Sequence, residues 1–167
     1  MNRRLIFGGV AAAAVLSATG IGVAVADSGN GGTGPAAYGR PPGAAASGDT
    51  VQTARTGLGR ILVDGNGRTL YLFEKDSATN STCYGACASA WPPATTAAAV
   101  HAGTGASAAF VGTVRRADGT NQLSYNGHPL YYYAGDAKAG DTTGQGLLQF
   151  GAKWYVLDPN GAKVDND

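Results

Sequence analysis

Tyr71-Leu72-Phe73-Glu74-Lys75-Asp76 and Tyr131-Tyr132-Tyr133-Ala134-Gly135-Asp136 both read Y-x-[FWY]-x-x-D. The match runs on upstream without a gap, with Gly67-Arg68-Thr69-Leu70 over Gly127-His128-Pro129-Leu130 and Asn66 over Asn126. A self-match at one constant offset marks two copies of a structural unit. Each copy leads from an Asn-Gly turn into an apolar, aromatic run, which is the spelling of a β-hairpin.

Outward from the motifs the same logic supplies the rest of the domain. Arg60-Ile61-Leu62-Val63, the Asp64-Gly65-Asn66-Gly67 turn and Thr69 to Phe73 make the first hairpin. Val111 to Arg116, the Asp118-Gly119 turn, Gln122 to Tyr125, the Asn126-Gly127 turn and Leu130 to Tyr133 make a three-stranded meander. Lys153 to Leu157 adds a strand, and Asp158-Pro159-Asn160-Gly161 repeats the D-x-N-G spelling of the first turn, which predicts a third, partial hairpin closing the domain. Between the repeats, Cys87 to Trp91 suits a helical turn that Pro92-Pro93 must end. The Ala- and Gly-rich stretch 94–109 reads as a loop with little regular structure. The fold class is therefore mainly β: one small antiparallel domain, 57–164, of two repeated hairpin or meander units at about 57–93 and 111–161. Turn chemistry leaves a single sheet, a sandwich and a barrel all open.

Strand alternation sorts the motif residues by face. Tyr71 and Phe73 point one way, as do Tyr131 and Tyr133, with Leu70, Leu72, Leu130 and Tyr132 opposite. If the repeats pack about a pseudo-twofold axis, the four rings form one cluster. Such a cluster serves either as core or as an aromatic ligand surface, and a small domain needs its large rings in the core.

The ends of the chain say where it works. Arg3 and Arg4 precede an almost uncharged stretch from Leu5 to Ala26 that ends in Ala24-Val25-Ala26, so residues 1–26 read as a secretory signal peptide cleaved before Asp27; an uncleaved membrane anchor is the competing reading. Residues 27–56, dominated by Gly, Ala, Ser, Thr and Pro, read as a flexible linker. Loss of the two signal arginines leaves ten basic groups against 11 acidic ones, which gives no electrostatic case for nucleic acid or an anionic membrane as a partner.

Few residues offer chemistry. Asp76 and Asp136 recur in identical contexts, whereas catalytic carboxylates need different environments, so both are expected to cap turns by accepting backbone N–H groups. A calcium site on Asp136 and Asp141 has only weak D-x-x-x-x-D spacing behind it. Cys83 and Cys87 are the only cysteines, and in an exported chain they are expected to form a disulfide, with a redox pair or metal ligation as alternatives. His101 and His128 are the only histidines, and His128 stands where the first copy has Arg68, a position open to either polar residue. No convergent set of three metal ligands and no nucleophile elbow is spelled out, so neither a cofactor nor an enzymatic activity is expected.

The doubled Y-x-[FWY]-x-x-D pattern, Cys83-Tyr84-Gly85-Ala86-Cys87 leading into Trp91-Pro92-Pro93, and Tyr125-Asn126-Gly127-His128-Pro129-Leu130-Tyr131 resemble a bacterial family described as secreted repeats of unknown function, lipoproteins bearing that motif. The resemblance spans Gly57 to Gly161 and brings no activity with it. One departure is that both cysteines lie far inside the chain, so no lipobox cysteine is present to carry a lipid anchor. The expectation is a secreted or wall-associated protein of non-catalytic binding or structural role, with cell-wall or envelope components as its partners. The rival is an extracytoplasmic redox or metal-handling protein using Cys83 and Cys87.

Overall fold

The computed structural model describes residues 47–165, so the signal peptide and residues 27–46 of the expected linker lie outside it. The strands are β1 (Thr50–Thr56), β2 (Gly59–Asp64), β3 (Tyr71–Phe73), β4 (Thr95–Thr96), β5 (His101–Ala102), β6 (Val111–Arg115), β7 (Asn121–Tyr125), β8 (His128–Pro129), β9 (Leu148–Gln149) and β10 (Ala152–Val156). One short helix, α1 (Ala86–Ala90), ends at Trp91 before the two prolines. The domain is mainly β and its strands form three small sheets, ordered β2-β1-β5, β3-β10-β9 and β4-β7-β6 with β8 on β7; they do not close into a barrel. All pairings between the strands are antiparallel except β1 with β5.

Three expectations need correction. The linker does not reach Thr56: Thr50–Thr56 is β1, and Val51, fully buried, pairs with Asp64. Its Thr, Val and Gln residues alternate well enough for a strand once β2 supplies the partner. The stretch after Ala94 is not wholly irregular, since Thr95–Thr96 pairs with β7 and His101–Ala102 with β1. Nor do the motif strands stay with their hairpin partners. Val63 bridges Thr69 across the first turn, but β3 then pairs with β10, and Tyr131 makes isolated bridges to Tyr71 and Pro93.

The turns follow their spelling. Asp64 Oδ1 accepts the N–H groups of Asn66 and Arg68, and Asp158 Oδ1 those of Asn160 and Ala162, so the two D-x-N-G turns share one construction. Gly67 and Gly127 both lie at φ 82, where a side chain would be strained.

A pseudo-twofold relates the repeats bond by bond. Leu62 N–H donates to Leu157 O as Leu123 N–H does to Ala94 O, and Leu70 N–H to Leu62 O as Leu130 N–H to Leu123 O. At the axis Tyr71 and Tyr131 exchange both backbone hydrogen bonds, each 2.9 Å. The predicted alternation sorts the side chains into two cores. Ile61, Val63, Tyr71, Phe73, Tyr131, Trp154 and Val156 join Trp91 and both cysteines on one side. Leu62, Leu70, Leu72, Leu123, Leu130, Tyr155 and Leu157 pack on the other. Strands covered on both faces explain why the motif segments are apolar without interruption.

Candidate functional site

The recurring tyrosine and aspartate of the motif belong to one device. Tyr71 Oη donates to Asp136 Oδ2 at 2.7 Å, and Tyr131 Oη donates to Asp76 Oδ2 at 2.5 Å, so each repeat's tyrosine holds the other repeat's aspartate. The second oxygen of each carboxylate caps its own loop: Asp76 Oδ1 accepts the N–H and hydroxyl of Thr82, Asp136 Oδ1 those of Thr143. The capping role expected of the aspartates is present, with the cross-repeat bond added. Both tyrosines have no exposed surface, and burial foremost, then the aspartate bond, raises the pKa of each phenol. Asp141, the other half of the calcium reading, spends Oδ2 on the N–H groups of Ala137 and Lys138.

The remaining motif rings build a stack. Phe73 lies on Trp154 at 4.0 Å and 8°, Trp154 on Trp91 at 4.0 Å and 5°, and Trp91 on Tyr133 at 4.3 Å and 31°. The axis passes between the indoles, and Tyr71 and Tyr131 meet Trp91 and Trp154 edge-on at 5.3 and 5.1 Å. Offset stacks and edge-to-face pairs are the favoured ring geometries, each worth about 0.5–1.5 kcal/mol beyond area burial. Gly144 permits this, since a Cβ there would come within 2.7 Å of the Trp91 ring.

Each end of the stack opens on a cleft, and the pseudo-twofold exchanges the two. The first, about 280 Å³, is lined by Asn66, Arg68, Tyr132, Tyr133, Asp136 and Lys138. The second, about 470 Å³, has Leu72, Phe73, Glu74, Asp76, His128 and Lys163. The fold repeats the aspartate and the ring beside it, Asp136 with Tyr133 and Asp76 with Phe73. The other linings have diverged. In the second cleft Lys163 is spent on Glu74 at 2.8 Å and Asp165 at 3.0 Å, and burial lowers the pKa of half-buried His128, favouring its neutral form. In the first, Arg68 lies 3.6 Å over the Tyr132 ring, and neither it nor Lys138 makes an ion pair among the described residues. The Tyr132 hydroxyl is anchored on Asp64 Oδ2 at 3.1 Å, which fixes the ring under the guanidinium.

A family model described as a secreted repeat of unknown function matches the chain twice, over residues 52–95 and 112–158. The chain belongs to this secreted-repeat family. No curated protein and no solved structure matches it. The two matched segments are the two halves related by the pseudo-twofold, so one secreted repeat corresponds to one half of the lock and one half of the ring stack.

Within the first repeat, Cys83 and Cys87 form the expected disulfide, with Cα atoms 5.2 Å apart. It packs in the ring core, Cys83 fully buried. Reduction or Cys83→Ala with Cys87→Ala is expected to lower stability by about 2 kcal/mol, the chain-entropy value for so short a loop, measured as a shift in the denaturant midpoint.

Sequence reasoning missed three things. Trp154 carried no motif signal, though it stands at the same place in the second repeat as Trp91 in the first. Arg68 and Lys138 are an arginine at a turn and a lysine in a loop, each unremarkable until folding brings both to one cleft. Arg116 is 3% exposed and donates to Ser81 Oγ at 2.5 Å, Gln122 Oε1 at 2.7 Å and Cys83 O at 2.8 Å, while its Nε faces Asp118 at 3.2 Å. Ser81 in turn bonds the Tyr131 hydroxyl at 2.6 Å, so this cation backs one tyrosine of the lock and not the other.

Proposed function

We propose that the secreted repeats form a non-catalytic binding module of the cell exterior or envelope, and that the Arg68 cleft takes a small anionic ligand, a carboxylate or phosphate group on an envelope component. One observation carries this reading: the fold builds the same cleft twice, and among the described residues only one copy holds an arginine and a lysine without carboxylate partners. What the fold needs recurs in both copies, as the aspartate and its neighbouring ring do. Arg68 and Lys138 lack that excuse. Arg68 is also pre-organised, because its guanidinium carbon sits 3.6 Å over the anchored Tyr132 ring, and a guanidinium fork suits an oxyanion. The carboxylate in the wall has bonded partners, Asp136 holding Tyr71 and Thr143, and Asp64 behind Tyr132 is spent on the turn and the Tyr132 hydroxyl. Among the described residues no helix is long and apolar enough to cross a membrane.

Calorimetric titration of the full chain with inorganic phosphate and with glucuronate tests the proposal. Charge-assisted hydrogen bonds contribute about 1.5–3 kcal/mol, so Arg68→Ala should weaken binding by roughly tenfold to a hundredfold. His128→Ala, in the second cleft, should leave it unchanged. Equal affinity in Arg68→Ala, or equal loss in His128→Ala, would remove the cleft from consideration.

A further inference from the structure

We propose that the ring stack is a one-electron relay, entered at Tyr133 in the Arg68 cleft and ending in a proton-coupled oxidation of Tyr71. This goes beyond ligand binding and does not depend on it.

Indole and phenol are the side chains most easily relieved of a single electron, and here they touch in series. Tyr133, half-buried in the cleft wall, stacks on Trp91 at 4.3 Å, and Trp91 on Trp154 at 4.0 Å. Both indoles have no exposed surface, so a hole on them meets no water. Phe73, which closes the stack in the second cleft, has no heteroatom and is far harder to oxidise, so the relay opens on one cleft alone.

Tyr71 is where the hole comes to rest. Its ring is 5.3 Å from Trp91 and 6.5 Å from Tyr133, and its O–H points at Asp136 Oδ2 at 2.7 Å. An oxidised phenol is a strong acid, and a carboxylate already in hydrogen-bond contact takes the proton without rearrangement. Burial raises the resting phenol pKa, so the proton is there to give. The step balances. A one-electron oxidant outside the protein, a high-valent metal centre, gains one electron from Tyr133 or Trp91, and Tyr71 refills that ring. The Tyr71 O–H bond breaks, the proton passes to Asp136 Oδ2, and a neutral phenoxyl radical remains.

The pseudo-twofold mate, Tyr131, is disfavoured by Arg116. Its hydroxyl shares Ser81 with that guanidinium, at 2.6 and 2.5 Å. A buried cation at this range opposes positive charge on the ring. Two tyrosines in matching geometry thus have unequal fates, an inequality that packing alone does not produce.

The experiment oxidises the full chain with tris(bipyridine)ruthenium(III) generated by a laser flash and follows the phenoxyl radical by electron paramagnetic resonance and transient absorption. The signal is expected in the wild type, in Tyr131→Phe and in Tyr84→Phe, and is expected to be lost in Tyr71→Phe. Asp136→Asn keeps the ring and removes the proton acceptor, so it should abolish the signal as well and serves if Tyr71→Phe does not fold. Tyr133→Leu, at the mouth, should delay its appearance. A radical that persists in Tyr71→Phe and in Asp136→Asn, one that vanishes in Tyr84→Phe or Tyr131→Phe, or no phenoxyl radical in the wild type, would overturn the proposal.

Discussion

Tyr131→Ala is expected to destabilise the domain more than any other single change. The ring has no exposed surface and meets Trp154 edge-on at 5.1 Å. Truncating a buried aromatic costs about 3–5 kcal/mol. The lost hydroxyl also takes one partner from half-buried Asp76 and one from buried Ser81, which keeps Arg116, so the hydrogen-bond loss adds about 1–3 kcal/mol in all. Small domains hold about 5–15 kcal/mol in total, so the variant should sit near its unfolding threshold at room temperature. Tyr131→Phe keeps the ring and should lose about 1–3 kcal/mol, the hydroxyl's share alone. Chemical denaturation of the three proteins side by side separates packing from the hydrogen bond. An unchanged midpoint in Tyr131→Ala would mean the ring is no part of the core.

Arg116→Ala should follow, at about 3 kcal/mol or more, because three buried acceptors lose their donor together. Lysine should not rescue it. One ammonium on a flexible stem cannot reproduce a planar fork that serves Ser81 and Gln122 from one nitrogen, Cys83 O from another and Asp118 from a third. The carboxylate of Asp118, whose pKa is lowered to about 2 chiefly by the Thr120 hydroxyl bond, is exposed and anchored without Arg116, so the loss falls on the buried acceptors. Thermal melting of Arg116→Ala and Arg116→Lys checks this; a lysine variant as stable as the wild type would show that charge matters here and geometry does not.

What the sequence discloses and what it withholds divides along contact range. The Asn-Gly and D-x-N-G turns, the two-residue alternation and the repeat are local or self-referential, and each can be read from neighbouring residues. The alternation even assigns Leu70 and Tyr71 to opposite cores. Whom the motif tyrosine holds is another matter. Its aspartate lies five residues along its own chain, and a local reading makes that aspartate a turn cap, which is half its role. The other half joins residues 65 and 55 positions apart, a pairing no local pattern encodes. The same holds for Trp91 on Trp154 and for Arg68 beside Lys138. β1 was hidden for a different reason: its polar Thr and Gln residues resemble the linker in composition, and only pairing with β2 makes them a strand.

The reciprocal grip of Tyr71 on Asp136 and Tyr131 on Asp76 has a kinetic consequence. Neither half of the chain can satisfy its own tyrosine, so a half-folded molecule strands a phenol and a carboxylate in each repeat and breaks the ring stack at each of its three stacked contacts. Folding then offers no stable halfway state, and the barrier must include closure of a loop between the repeats before any of that stabilisation is returned. A chain that leaves the cell amino terminus first would have to finish crossing before its first repeat could set, which keeps the polypeptide extended for as long as the export machinery holds it.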